Sequence, residues 1–389
     1  MSIADRWLLP DGVEEVLPPQ AAHLEAVRRR VLDRFSAWGY ELVITPMVEY
    51  LESLLTGTGR DLDLKTFKVT DQVSGRMMGI RADITPQAAR IDAHSLKRDG
   101  IVRLCYAGTV LHAQADNQLA SRTPISVGAE LFGETGTRGD LEIVSLMIEV
   151  VKREGISPVH IELGDVGIFR ELARRADLGA ADEERLFELI QQKSGVEIEA
   201  AVKELGIASP EADKITALAA LYGGEEVLAL AQESFSSNPG IMARLESLKE
   251  VADGLKVRFP DIDIYYDLSE LRGYNYHTGI VFAAYMGSSG QRLAKGGRYD
   301  HVGEVFGRAR AATGFDVDLK GLASHSVIEL DPGQRVLAPL LDNREQGGRW
   351  TFISQLREEG YIVVESDVAA DCELKVVDVD GYWRLVEIS

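Results

Sequence analysis

Apolar side chains in the first third of the chain alternate between the spacing of helices and that of strands. Leu24, Val27, Val31 and Phe35 recur on one helical face, and Gly39 follows where a left-handed helix cap is expected. Runs rich in β-forming residues come next, at 42–45, 103–111 and 125–132. The connection between the second and the third of these runs is short, which favours antiparallel pairing, so this region predicts an antiparallel sheet with a helix packed against it.

The middle of the chain changes to a mainly helical pattern. Leu141, Val144, Ile148 and Val151 mark one face of a second helix, and a short strand is predicted at 159–163. Between about 169 and 257 the chain is rich in Ala, Leu and Glu and has few β-forming residues. This composition predicts a helical insertion into the sheet.

Strand character returns after the insertion and continues into a separate tail. Strands are predicted at 262–266 and 280–285, followed by the glycine-rich segment AKGGRYD at 294–300. The tail predicts one helix at 350–359 and strands at 335–338, 361–364, 374–377 and 384–388. We therefore expect an α+β core over residues 1–325 and a short C-terminal α/β domain over residues 326–389.

Composition and charge narrow the class of protein. The chain has 389 residues, 45% hydrophobic and 27% charged, which is typical of a globular protein. Its net charge of −20 argues against a nucleic-acid partner. No apolar run is long enough for a signal peptide or a membrane span, so we expect a cytoplasmic protein without membrane contact. Cys105 and Cys372 lack metal-ligand spacing, which predicts two buried thiols and no metal site.

Polar residues that could form a binding site lie in three separated segments of the sequence. The first is GYELVITPMVEY at 39–50, which alone predicts only a turn from a helix into an edge strand. The second comprises GIRADITPQAAR, RLCYAGTVLH and ISVGAELFG, where Asp83, Thr85 and Glu130 alternate with apolar neighbours. On strands such residues would share faces with a concave site, although solvent-facing alternation explains the spacing equally well.

The third segment, LRGYNYHTGIVF at 271–282, precedes AKGGRYD. Arg272 stands there among two tyrosines and His277, a group that could contact a carboxylate and an imidazole-like ring together. An arginine on a strand with aromatic neighbours is also common on protein surfaces.

In this order and at these separations, the segments resemble motif 1, motif 2, the histidine-specific motif and motif 3 of the histidyl-tRNA synthetases. The resemblance covers about residues 10–323, and RGYNYHTGIVF and GGRYD are its most specific parts. It implies a class II aminoacyl-tRNA synthetase-like fold, a mainly antiparallel sheet flanked by helices. Cores of this family are commonly homodimers with motif 1 at the interface.

The resemblance also implies a binding site for histidine. Asp83 and Thr85 match positions that hold the α-amino group, and Glu130, Arg272 and Tyr276 match positions that hold the rest of the amino acid. His277 stands where the family has a further tyrosine, and Ser126 stands where it has a glutamine.

Two arginines that hold the phosphates of ATP in the family are missing. The motif 2 position is His112, the motif 3 position is Gly321, and two motif 3 glycines have become Asp316 and Asp318. Loss of one donor to developing charge commonly costs a reaction about 2.7 to 4 kcal/mol. Losing two cations and adding two anions predicts a protein that binds no ATP cofactor and catalyses no adenylation.

A histidyl-tRNA synthetase paralogue without these arginines, and with too short a tail for the anticodon-binding module, is similar to the regulatory subunits of ATP phosphoribosyltransferase. That resemblance implies a hetero-oligomer with a short-form catalytic subunit and histidine as the small-molecule effector. Two alternatives stay open at this point: a working histidyl-tRNA synthetase, and a paralogue that binds RNA or another protein.

Overall fold

The fold was taken from a computed structural model, which describes residues 7–55, 60–115, 120–274, 276–287, 289–330, 333–340, 347–368 and 371–388. The chain divides into two compact units, one ending at Ile328 and one beginning at Glu329. None of the helices in these ranges combines the length and the hydropathy that crossing a bilayer requires.

The described residues form α-helices and strands, and the four helices within residues 166–218 follow one another without a strand between them. The helices are α1 (Gln20–Ala37), α2 (Leu51–Leu55), α3 (Arg60–Lys65), α4 (Thr85–Arg90), α5 (Thr137–Arg153), α6 (Val166–Arg175), α7 (Ala180–Gln191), α8 (Gly195–Glu204), α9 (Glu211–Leu218), α10 (Glu226–Phe235), α11 (Pro239–Arg258), α12 (Leu319–His325) and α13 (Gly347–Glu358). The strands are β1 (Glu41–Leu42), β2 (Val48–Tyr50), β3 (Phe67–Thr70), β4 (Met77–Ile80), β5 (Val102–Thr109), β6 (Ile125–Phe132), β7 (Val159–Asp165), β8 (Tyr222–Gly223), β9 (Asp263–Asp267), β10 (Ile280–Met286), β11 (Arg292–Arg298), β12 (Ala312–Asp318), β13 (Arg335–Ala338), β14 (Ile362–Glu365), β15 (Leu374–Val379) and β16 (Tyr382–Glu387).

A nine-stranded sheet in the order β1-β5-β6-β12-β11-β10-β7-β9-β8 forms the centre of the larger unit. Its pairings are antiparallel, except those of β1 with β5 and of β7 with β9. Side chains such as Phe315 and Val317 leave one face of this sheet and enter an apolar cluster with α1, α5 and α11. Because successive side chains of a strand point to opposite faces, the other face is free to carry polar residues.

The helix over 24–35 and the antiparallel strands β5 and β6 are confirmed. The predicted strand over 42–45 is wrong in length, because β1 ends at Leu42 after two residues paired with β5. Helices α6 to α11 occupy the segment in which the helical insertion was expected, and the unpredicted strand β8 joins the edge of the sheet through β9.

The smaller unit contains a four-stranded sheet in the order β14-β13-β15-β16, with α13 packed against it. Its apolar cluster is built from residues such as Val336, Ile353 and Val376. The prediction of two buried thiols is wrong for one of them: Cys105 is buried in β5, but Cys372 lies in the segment before β15 and is only half-buried.

Candidate functional site

Polar residues on three neighbouring strands meet on the face of the large sheet that is opposite to α1, α5 and α11. Glu130 on β6 is paired with Gly314 on β12, and Asp316 on β12 is paired with Gly128 on β6 and Lys295 on β11. Residues paired across two strands point to the same face of a sheet, and so do residues two positions apart on one strand. The side chains of Glu130, Asp316 and Lys295 therefore project from one surface.

Two glycines on this surface make room for the polar side chains above them. A Cβ added at Gly314 would overlap a carboxylate oxygen of Glu130, and one added at Gly128 would overlap the hydroxyl of Tyr106. A side chain at either position would therefore displace the groups that line the site.

Glu130 is the centre of a hydrogen-bond network and is only 1% exposed. The Tyr106 hydroxyl donates to Oε1 of Glu130 at 3.1 Å, and the Tyr299 hydroxyl donates to Oε2. Thr85 joins the network through a hydrogen bond of 3.1 Å between its Oγ1 and the Tyr106 hydroxyl. Burial raises the pKa of Glu130 to about 8, although the tyrosine and threonine donors favour the ionised form and oppose this rise.

Aromatic rings form one wall beside Glu130. Tyr276 stacks on Tyr299 with ring centroids 5.1 Å apart, and His277 packs its ring edge-on against Tyr276 at 5.3 Å. The Tyr276 hydroxyl and His277 Nδ1 are buried and have no hydrogen-bond partner among the described residues. Burial lowers the pKa of His277 to about 4, so its imidazole is neutral near pH 7.

Asp83 lies at the start of α4 and adds a further acid to the group. It accepts a hydrogen bond of 2.9 Å from the backbone N–H of Thr85 and acts electrostatically on Glu130 and Asp316. Burial raises the pKa of Asp316, and the charge of Lys295 opposes that rise. Three acids near one another favour a ligand that carries positive charge or hydrogen-bond donors.

The structure thus brings together five of the six candidate residues, namely Asp83, Thr85, Glu130, Tyr276 and His277. Of the three residues considered for strand positions in the second segment, only Glu130 lies on a strand: Thr85 is the first residue of α4 and Asp83 precedes the helix. The carboxylate of Asp83 bonds the backbone of that first helical turn, a local interaction that favours a helix start over a strand.

The sixth candidate, Arg272, is not part of this cluster. It lies in a turn before β10, not on a strand, and its side chain is 54% exposed. Its Nε donates to Glu270 Oε2 at 2.7 Å, Nη2 donates to the Tyr285 hydroxyl at 3.3 Å, and Nη2 stands 3.7 Å from Oε1 of Glu162. Among the described residues no hydrogen bond or ion pair joins Arg272 to the five clustered residues, and its guanidinium is paired with the carboxylate of Glu270.

The two positions that lack phosphate-binding arginines have different surroundings. Nε2 of His112 lies 3.1 Å from the carbonyl oxygen of Ala82. Gly321 is in α12, and a Cβ built there would stand 3.3 Å from a carboxylate oxygen of Asp318, which caps the same helix. A carboxyl group, whose pKa is raised by burial, thus lies beside position 321, where a triphosphate would require a cation.

Tyr106 and Tyr299 belong to the site but were not selected from the sequence. Both occur in segments quoted for the motifs, RLCYAGTVLH and AKGGRYD. Alternation along β5 is the one available signal for Tyr106, and nothing local identifies Tyr299, which comes directly after β11. Their shared contact with Glu130 depends on strand pairing between distant parts of the chain.

Comparison with known proteins places this chain in a family. Residues 12–322 match the family model described as histidyl-tRNA synthetase. The whole chain is 51% identical, over 399 aligned residues and the full length of both proteins, to a protein of Ectopseudomonas mendocina named ATP phosphoribosyltransferase regulatory subunit.

Solved structures share the fold. A Bacillus halodurans protein described as an ATP phosphoribosyltransferase regulatory subunit/histidyl-tRNA synthetase is 27% identical, with a TM-score of 0.82 and 95% of each chain covered. A chain of the ATP phosphoribosyl transferase (HisG:HisZ) complex from Thermotoga maritima is 18% identical, with a TM-score of 0.59, and the match covers 78% of this chain and 98% of that one. The expected class II synthetase-like α+β fold is confirmed, and the chain belongs to the family of ATP phosphoribosyltransferase regulatory subunits, whose core over residues 12–322 has the histidyl-tRNA synthetase fold.

Proposed function

We propose that this chain is a non-catalytic subunit that a separate, short-form ATP phosphoribosyltransferase catalytic subunit needs for activity and for feedback control by histidine. The identity of 51% over full length to a curated regulatory subunit is the observation that carries this proposal. The Thermotoga relative, which was solved as a HisG:HisZ complex, supports a catalytic partner. The Asp318 carboxyl group beside position 321 and the absence of arginine at positions 112 and 321 support a pocket that does not activate ATP.

The effector site, in this proposal, is the cluster around Glu130. Asp83 and Thr85 hold the α-amino group of histidine, and Glu130 with Tyr276 or His277 holds its side chain. The excess of acids suits an ammonium group, and the unpartnered hydroxyl of Tyr276 offers a hydrogen bond that the described residues leave unused.

Arg272 is proposed to bind the carboxylate side of the same histidine. Its guanidinium is engaged with Glu270, so binding would require this ion pair to open. The planar guanidinium of an arginine is well suited to a bidentate contact with a carboxylate. The carboxylate of histidine could therefore replace that of Glu270 with a similar interaction energy.

Histidine would control the partner by binding one arrangement of the assembly more tightly than another. Such coupling between two sites is typically about 1 to 3 kcal/mol, and it acts in both directions. We further propose a homodimer within the hetero-oligomer, supported by the exposed apolar side chains of Leu42 and Ile44 beside the edge strand β1. A cytoplasmic location and the absence of nucleic-acid and membrane partners remain predictions.

The proposal is tested by mixing the purified chain with a short catalytic subunit and measuring ATP phosphoribosyltransferase rates with and without histidine. We expect the chain to raise the rate and histidine to lower it. In Arg272→Gln and Glu130→Gln the histidine concentration for half-inhibition should rise by about tenfold or more. Arg174→Gln, on the surface of α6 and 70% exposed, is the matched control. Unchanged inhibition in both site variants would place the sensor elsewhere.

A working synthetase is the second candidate, because the Bacillus relative carries both names in its description. Histidine-dependent exchange of pyrophosphate into ATP by the purified chain alone would establish that activity and overturn our proposal. Binding of tRNA with an affinity that falls steeply with salt would instead support an RNA-binding paralogue.

A further inference from the structure

A cavity of about 250 Å³ lies on the helix side of the large sheet, away from the Glu130 cluster. Leu131 of β6 lines this cavity, and because Leu131 follows Glu130 on the same strand, the two side chains point to opposite faces. Trp38 at the end of α1 and Leu141 of α5 form further walls. The cavity is therefore separate from the proposed histidine site.

Three arginines surround the cavity in a chain whose net charge is −20. Arg103 is fully engaged, since its Nε and Nη2 donate to the two oxygens of Glu142 at 2.7 and 2.8 Å. Arg258, at the C-terminal end of α11, donates to the Ser145 hydroxyl at 2.8 Å and has no ion pair among the described residues. Among the described residues Arg138 has no ion pair, and it is exposed. Within the described ranges, two arginines without an ion pair thus face this space, against one such carboxylate, that of Glu134.

The end of helix α5 adds to this positive potential. Arg138 is the second residue of this 17-residue helix, and no side chain caps its N-terminus at Gly136. The first backbone N–H groups of a helix lack internal partners, and the helix dipole places partial positive charge there. One carboxylate in the lining, Glu134, has no ion pair among the described residues and offsets part of the charge.

We propose that this cavity binds a small organic anion, with its carboxylate or phosphate group held between Arg138 and Arg258. The apolar or aromatic part of the ligand would lie against the indole of Trp38 and the side chains of Leu131 and Leu141. Arginine suits this role because its planar donors match the geometry of both kinds of oxyanion. A pocket with apolar walls and a few convergent charged groups is the usual form of a small-molecule site.

Titration of the purified full-length chain tests the proposal, with adenosine 5′-monophosphate and inorganic phosphate as phosphate probes and 3-phenylpropionate as the carboxylate probe. Calorimetry measures binding, and the fluorescence change that disappears in Trp38→Phe locates it. We expect saturable binding of at least one organic probe, weakened about tenfold or more in Arg138→Gln and in Arg258→Gln. Binding of adenosine 5′-monophosphate assigns the site to phosphates, binding of the carboxylate probe assigns it to carboxylates, and binding of both assigns it to both classes.

Two variants show whether this cavity is the place of binding. Arg174→Gln removes an exposed arginine on α6 and should leave the affinity for the probes unchanged, and Glu130→Gln should do the same because it acts on the other face of the sheet. Arg138 is exposed and unpaired, so its substitution should not unfold the chain, which circular dichroism can verify. The proposal is overturned if no organic probe binds saturably in the millimolar range, or if both arginine variants bind as tightly as the parent chain.

Discussion

At the scale of single residues, Glu130 affects both the free energy of unfolding and the proposed binding of histidine. Its pKa of about 8 in the folded chain lies well above the value of 4.5 for an ordinary glutamate. Between these two pH values the unfolded chain has lost a proton that the folded chain keeps. The free energy of unfolding therefore falls as pH rises through this window. Below pH 4.5 Glu130 is protonated in both the folded and the unfolded chain, so it no longer lowers the free energy of unfolding.

Replacing this carboxyl with an amide tests that reasoning. Glu130→Gln should raise the free energy of unfolding at pH 8 by on the order of a few kcal/mol, and should change it much less at pH 5. Urea unfolding at the two pH values measures the effect, with the exposed Glu246→Gln on α11 as control. The same pH dependence in Glu130→Gln and in the parent chain would contradict the assigned pKa. Such a gain in stability with a loss of histidine binding is a common trade at functional sites.

At the scale of secondary structure elements, Gly314 on β12 leaves space for the side chain of Glu130 on the paired strand β6. Gly314→Ala would place a methyl group against the carboxyl of Glu130 and 2.9 Å from the carbonyl oxygen of Ala129. We expect a loss of about 1 to 3 kcal/mol in unfolding free energy and weaker histidine binding. The control is Gly195→Ala at the start of α8, where no atom lies within 4 Å of the added Cβ. Its effect on thermal unfolding should be neutral or slightly stabilising.

Helix α12 and strand β12 together decide whether a restored arginine could work. In a His112→Arg, Gly321→Arg double variant, the Asp318 carboxylate beside position 321 would pair with the new guanidinium. We therefore expect no histidine-dependent pyrophosphate exchange from this variant. Further replacement of Asp316 and Asp318 with glycine would remove the competing anions. Exchange by the double variant alone would mean that the missing cations were the sole obstacle.

At the scale of the whole molecule, each of the two compact units has an apolar cluster of its own. The Glu130 site and the arginine-lined cavity both lie in the unit that ends at Ile328. A chain truncated after Ile328 should therefore fold, and its affinity for histidine should stay within about a factor of two of the full chain. Calorimetric titration measures this, and an unfolded or aggregated product would contradict it. The smaller unit, from Glu329 on, should be only marginally stable alone, because small domains bury little apolar surface.

Local spacing in the sequence was sufficient for α1, for strands β5 and β6 and for the helix-rich segment of α6 to α11, because helical and strand periodicities are properties of neighbouring residues. It was not sufficient for Asp83 and Thr85, whose alternation with apolar neighbours suits a strand but where a side chain to backbone hydrogen bond accompanies a helix start. Nor could it show that Glu270 would hold the guanidinium of Arg272.

The sequence by itself determined which chemical groups are present: the motif spacing that indicates the family, the candidate acids, and the absence of arginine at positions 112 and 321. Only the tertiary structure decided which of these groups meet. Glu130, Tyr106 and Tyr299 are joined by the register of β5, β6, β12 and β11, and burial there raises the pKa of Glu130. Register and burial depend on contacts between residues far apart in the chain. Periodicity and the order of the motifs need no such contacts and can be read directly from the sequence.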